Sequence, residues 1–193
     1  MNITKRGKKF LSIALVILLM VNLLAIPTFA WSDAGWKLTK KLVLSPHESI
    51  GSTSLSHFNE AFWGWNSRSS VYNLQRSLTT HTATNFYSAT QAENRIYKVY
   101  NSNDSAPAVA RTSYDSNKKV ISAAINLNPA RPLGNGTKNA YDVWTIFIHE
   151  AGHILGFNHT SIIEPSVMNV LPMGSINRSL TSNDIIGVNS KYK

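Results

Sequence analysis

The stretch FIHEAGHILGFNHT, residues 147–160, concentrates three histidines and one glutamate within eleven positions of a chain that has six histidines in all. On a helix, His149 and His153 are four apart and project from one face. They can therefore approach a single ion at Zn–N distances of about 2.0–2.1 Å. Two ligands do not complete a site. Gly156 offers a position where the backbone can turn left-handed and stop the helix, so that His159 returns to the same ion from the other side. Three neutral imidazoles leave the fourth position of a zinc open to water, which is the pattern of a catalytic rather than a structural ion. Such an ion lowers the pKa of water toward about 7. Glu150, beside a ligand but rotated by one residue, is then placed to accept a proton from that water and deliver it to a leaving amine. An isolated histidine is usually an ordinary core or surface residue, and His47, His57 and His81 are assigned that way. The five specified positions of H-E-x-x-H-x-x-G-x-x-H should arise by chance in on the order of one in 10⁵ chains of this size.

A site of this kind needs a rigid frame, and the rest of the chain is long enough to build one. The chain has 193 residues and its opening, MNITKRGKKFLSIALVILLMVNLLAIPTFA, runs from a basic stretch through an apolar segment to Pro27 and a small-residue ending at Ala30. That order reads as a secretory signal peptide over residues 1–30, with cleavage after Ala30, and Pro27 argues against a retained anchor. Residues 31–193 show no repeat, low-complexity tract or linker and are read as one catalytic domain. The chain contains no cysteine, so an exported domain must hold together without disulfides. Of the formal charge of +9, four units lie in residues 1–30, which leaves +5 for the mature part. No basic run interleaved with aromatics points to nucleic acid. A solvated basic surface is the plain reading, with acidic wall polymers as a possible contact.

The hydrophobic pattern predicts an α+β domain with one sheet and three helices. In LSHFNEAFWGW, residues Leu55, Phe58, Phe62 and Trp65 recur at helical spacing, and either Trp63 or Trp65 belongs to the core. Short β-prone runs follow: TNFYS, NRIYKVY, AVARTSY and KKVISAAINLN. A Pro/Gly-rich loop then leads into the histidine helix, with Asp142 as its N-cap. Thr181 and Asp184 mark the start of a last helix through an acidic capping box.

These features resemble the metzincin zinc endopeptidases. The segment SVMN after His159 places Met168 where that family has the methionine of its Met-turn, with Met173 as the less suitable rival. The short gap, AFWGWN, AAINLN and LTSNDIIGVNSKY are similar to the matrixins and their small bacterial relatives. The resemblance implies a zincin-like fold with a twisted, mostly parallel sheet and an antiparallel edge strand. It implies a secreted zinc endopeptidase with one catalytic ion on His149, His153 and His159, Glu150 as general base, and Met168 as a support beneath the metal. Its partner would be a protein or peptide bound as an extended strand, with residues 120–128 as the rim of the cleft. A monomer without nucleic-acid or lasting membrane association is expected.

The departures from the family pattern carry their own expectations. Without cysteine, and without room after Ala30, no cysteine-switch pro-segment is expected. A second zinc is not expected either, and structural calcium has little support, since only Asp104 and Asp115 lie near the relevant strands. Asn183-Asp184 replaces the usual Asp pair, which puts an ion pair to a new N-terminus in doubt. Val170 stands where some metzincins have a tyrosine. Two other readings stay open: a catalytically silent zincin-fold binding module, and a zinc amidase acting on cell-wall peptides. Side-chain selection is expected from Ile162 to Ile176.

Overall fold

Apolar side chains on both faces of the run after Lys119 put a strand in the middle of the molecule, and the other elements assemble around it. The computed structural model describes residues 31–160, 164–170 and 172–193; the expected signal peptide lies outside the described residues. In chain order the elements are β1 (Ser32–Asp33), β2 (Lys41–Pro46), α1 (Ser52–Asn66), β3 (Asn73–Arg76), β4 (Arg95–Tyr97), β5 (Ala108–Tyr114), β6 (Val120–Leu127), β7 (Leu133–Gly134), β8 (Tyr141–Asp142), α2 (Val143–Ile154), β9 (Phe157–Asn158) and α3 (Ser182–Lys191). The main sheet has the order β3-β2-β4-β6-β5. Its pairs are parallel except for β5, which runs antiparallel to β6. The fold is thus α+β, with three helices and a mixed five-stranded sheet, as the sequence implies.

The position of the edge strand corrects the expectation. Residues 120–127 are paired on both sides, with β4 and with β5, so they are not the rim of a cleft. Their composition explains this. Ala123, Ile125 and Leu127 enter the main core, while Ala124 joins a second cluster with Phe86, Ala92 and Tyr97 on the other face. A strand buried on both faces belongs inside a sheet. The edge is β5, whose Arg111, Thr112 and Ser113 are only partly buried. Arg111 turns back over the Phe86 ring and donates to the carbonyls of Phe86 and Ala89. TNFYS is a second correction: it forms a turn, closed by the Ser88 and Ala89 amides on the Asn85 carbonyl, and Phe86 caps the second cluster.

Helix α1 buries Phe58, Ala61, Phe62 and Trp65 against α2. Phe58 meets Phe147 edge-on at 5.1 Å, and Trp65 donates its indole N–H to the Ile148 carbonyl at 2.8 Å. Trp65 is therefore core, whereas Trp63 is 69% exposed. Both expected caps are present: Thr181 and Asp184 form the capping box of α3, and Asp142 accepts from the Thr145 amide at 3.0 Å at the start of α2.

Asp142 also accepts from the Thr145 hydroxyl at 2.7 Å and from Nε and Nη2 along one edge of the Arg178 guanidinium. Burial works against its charge, but the Arg178 fork and the two Thr145 bonds outweigh it and hold the carboxyl at about 2. The sign follows from linkage: a depressed native pKa adds stability that is complete above the unfolded value near 3.8 and fades as pH falls toward about 2. Asp142→Ala removes both the cap and the ion pair, and should lower the unfolding free energy by about 2 kcal/mol at pH 7. Urea titrations of the two proteins should converge as pH falls through that window. A constant difference down to the acid limit would show that the carboxylate charge is not what stabilises the helix start.

Candidate active site

The three histidines of the motif meet. His149 and His153 lie on successive turns of α2, and His159 comes back beyond β9 after the helix stops at Gly156, whose φ is +83°. A Cβ at Gly156 would lie 2.0 Å from the Trp36 carbonyl oxygen, so a side chain is excluded by space as well as by conformation. His149 Nε2 is 3.1 Å from His153 Nε2 and 3.1 Å from His159 Nε2, and all three ligand atoms lie within 4.8 Å of one another.

The opposite ring nitrogens decide what those atoms can do. His149 Nδ1 lies 2.7 Å from the Val167 carbonyl, and His153 Nδ1 lies 2.8 Å from the Phe157 carbonyl. A carbonyl only accepts, so both Nδ1 atoms carry the proton and both Nε2 atoms present bare lone pairs. Burial, reinforced by the neighbouring imidazoles, pushes His149 down to about 3 and His153 down to about 4, so these rings stay neutral. Two bare lone pairs 3.1 Å apart repel unless a cation lies between them. Nitrogens sharing a tetrahedral zinc at about 2.0–2.1 Å stand roughly 3.3 Å apart. The donor set and its spacing therefore fit zinc.

The carbonyl that orients His149 is itself held from the last helix. Asp184, at the start of α3, accepts from the Ser166 hydroxyl at 2.5 Å and from the Val167 amide at 3.1 Å. Met168 follows in the same turn, with its amide on the Ser166 hydroxyl at 2.9 Å and its carbonyl accepting from the Thr160 amide at 3.1 Å. Its side chain is buried under α2: a Cβ added at Gly152 would come within 2.2 Å of Met168 Sδ. Met173 is half exposed and has no such place. Asp184 thus braces the Met-turn, and Asn183 reaches Glu164 and the Pro165 carbonyl.

Glu150, one residue on from His149, lies against β5. It is buried, its Oε2 has no hydrogen-bond partner among the described residues, and the backbone of Ala110 bonds to the carboxylate. Burial pushes its pKa up to about 8, partly countered by that bond. A divalent cation on the adjacent imidazoles would draw it back toward the ionised form. Both groups open into a cleft of about 630 Å³ walled by Trp36, Ala108, Ala110, Tyr141, Ile146 and Val170. Trp36 is fixed there by its indole N–H, which donates to the His153 carbonyl at 3.2 Å.

The loop entering β5 is positioned by side chains of β6 and its continuation. Asn126 brackets Val99 through both its amide and its carbonyl, at 2.7 and 3.0 Å. Asn128 does the same for Asn101 and also donates to the Asp104 and Ala106 carbonyls. Arg131 donates to the carbonyls of Asp104 and Ser102. Asp104 accepts from Tyr87 and the Ala106 amide, and Asp115 closes the β5–β6 turn by accepting from the Asn117 and Lys119 amides. Neither aspartate joins a metal-holding group: among the described residues the group of that kind is the three histidines.

The structure brings His149, His153 and His159 together, with Glu150 on the same helix and Met168 beneath it. The sequence reading missed the carbonyls of Val167 and Phe157, which carry no residue-type signal, and it missed Trp36 and residues 108–110 as cleft walls. Of the segment expected to select side chains, residues 161–163 and 171 lie outside the described residues. His47 and His81 pack together edge-on, and His57 stacks on Trp144, and none of them joins the cluster of His149, His153 and His159. The family model for Matrixin matches residues 30–193. No curated protein matches the chain.

The fit between Gly152 and Met168 can be measured. Gly152→Ala overpacks the site and should cost about 1–3 kcal/mol, while Met168→Ala alone should cost about 2–5 kcal/mol. Because the two changes use the same space, the double variant should be more stable than the sum of the single costs implies, by at least about 0.5 kcal/mol. Strict additivity in urea unfolding would show that the sulfur and the helix are not in direct contact.

Proposed function

The chain belongs to the matrixin family of zinc endopeptidases, and we infer that His149, His153 and His159 hold its zinc while Glu150 is its general base. As a matrixin metalloendopeptidase it hydrolyses peptide bonds. The observation that carries the residue roles is the pair of tautomer-locked imidazoles with bare Nε2 atoms at a shared point, one residue away from a buried carboxylate without a partner for Oε2.

A zinc ion held by His149, His153 and His159 would supply Lewis acidity, which brings the ionisation of water close to neutral pH. Glu150 accepts the proton lost by the water whose oxygen attacks the peptide carbonyl carbon. The same carboxyl then passes that proton to the nitrogen as the C–N bond breaks, so the products are a carboxylic acid and an amine, which separate as carboxylate and ammonium, and Glu150 returns to its starting state. The free edge of β5 offers its amides and carbonyls to an extended peptide, which places the scissile bond beside Glu150 through the Ala110 contact. Backbone pairing explains how unrelated sequences are held. All three ligands and the base come from one chain, so a monomer suffices. Met168 supports the helix from below and takes no part in proton transfer.

Glu150→Ala should retain zinc at the wild-type stoichiometry and lose most peptide hydrolysis, about 10²–10⁴-fold for a general base. His153→Ala should lose metal together with activity. Metal analysis and peptidase assays of the two variants side by side separate these roles, and wild-type turnover by a metal-replete Glu150→Ala protein would refute the assignment of the base.

We also propose that the protein is secreted and cut after Ala30. Support comes from the residues just beyond that point. Trp31 packs edge-on against Phe157, β1 pairs with β9, and Asp33 forms an ion pair with Lys191. Among the described residues no helix is long and apolar enough to cross a membrane. Intact mass of protein taken from culture medium should correspond to a chain beginning at Trp31 or within a few residues of it. A full-length species confined to membranes would overturn this reading.

A further inference from the structure

Four lysines gather at one end of the cleft. Lys37 pairs with Lys119 in a short parallel bridge, with its amide on the Lys118 carbonyl at 2.9 Å. Lys40 reaches across to donate to the Ile121 carbonyl at 3.0 Å, and Lys118 Nζ stands 4.7 Å from the centre of the Tyr114 ring. Tyr114 in turn stacks on Trp36, with centroids 5.3 Å apart and planes 13° apart, and Trp36 is a wall of the catalytic cleft. All four lysines are exposed. Two acids lie nearby and do not balance the four: Asp115 keeps its charge within the β5–β6 turn, and Asp33, which also feels Lys37, is paired with Lys191. Lys118 adopts φ +60°, a left-handed conformation that costs a lysine on the order of 1 kcal/mol and that glycine or asparagine would take more readily. The turn nevertheless presents a lysine there, above an aromatic ring that continues into the cleft.

We propose that Lys37, Lys40, Lys118 and Lys119, arranged around the Trp36–Tyr114 stack, bind acidic side chains of the substrate a few residues from the cleaved bond. This rests on the peptidase reading and on pairing of the peptide with β5. Ala110 lies beside Glu150, and Tyr114 is four residues further along the strand, roughly 13 Å away at about 3.3 Å per residue. A peptide following that edge brings its residue about four positions from the scissile bond to Tyr114, and the next ones to the lysines. Only one flank of the substrate passes this end, so the preference is directional. Neutral substrates still bind through their backbones, and acidic ones gain attraction.

The test uses a neutral peptide that the zinc-loaded protein cleaves, resynthesised with three glutamates or three glutamines centred four residues from the bond on either flank. On one flank the glutamate peptide should exceed its glutamine counterpart in kcat/KM by about tenfold at low salt, and the excess should fade at high salt. In Lys37→Gln/Lys118→Gln/Lys119→Gln protein the excess should vanish while the glutamine peptide is cleaved at the wild-type rate. Fluorescence anisotropy of the same labelled peptides on Glu150→Ala protein should show the same one-sided, lysine-dependent preference. That binding assay decides the proposal even without turnover, whereas absence of cleavage of every peptide would count against the peptidase reading instead. Equal binding of glutamate and glutamine peptides, equal preference on both flanks, or a preference that survives loss of the lysines would overturn it. Lysine-dependent retention of soluble polyphosphate with no peptide preference would also overturn it, in favour of anchoring to an acidic polymer.

Discussion

The site depends on two hydrogen bonds that involve no substrate and no metal: the Nδ1–H groups of His149 and His153 donating to the carbonyls of Val167 and Phe157. Without them each imidazole could present either tautomer, and a neutral ring has only one lone pair to offer. Both carbonyls belong to segments that leave the helix and must be brought back to it. Phe157 is delivered by the left-handed turn at Gly156, and Val167 by the turn that Asp184 holds. The helix start is braced from the same direction, because Arg178, shortly before α3, clamps the Asp142 cap. The chain that follows the helix therefore acts as a frame for it, and without that frame the helix would carry its histidines without orientation.

Much of this was legible in the sequence, and the reasons differ from place to place. The histidines and Glu150 were readable because the chemistry restricts both residue type and spacing. Asp142, Thr181 and Asp184 were readable as caps because a helix start leaves amides without partners and few side chains satisfy them. Met168 was found only through its likeness to a family, since a buried methionine has no pattern of its own. The order of strands was not readable. Likeness to the family puts the edge strand at AAINLN, yet that run is buried on both faces, and Asn126 and Asn128 spend their polarity on the loop at 99–106 rather than on solvent. TNFYS looks like a strand because Phe and Tyr favour one, but the turn closed on Asn85 leaves Phe86 as a lid on the second cluster. The asparagines found partners that lie far away in sequence, whereas TNFYS was decided by a backbone turn closed within four residues.

A chain without cysteine builds this frame from buried aromatics and from side-chain donors on backbone carbonyls. Trp65 and Trp36 each give an indole N–H to a carbonyl of α2, one from each side of the helix line. Tyr192 does the same for the Leu155 carbonyl at 2.6 Å. Each bond satisfies a polar group where water is excluded, and an unmade bond there would cost about 1–3 kcal/mol. The metal helix is consequently fixed along its whole length, which leaves zinc to complete a geometry already formed rather than to create it.

The outer border of β5 has no strand partner among the described residues. A strand edge with unpaired amides is a template for any extended chain, including the same edge of a second molecule. Arg111 occupies the middle of that strand, yet its guanidinium is folded over the Phe86 ring and onto the Phe86 and Ala89 carbonyls. The one cation of β5 is thus committed within the molecule, and what the border shows an arriving strand is backbone.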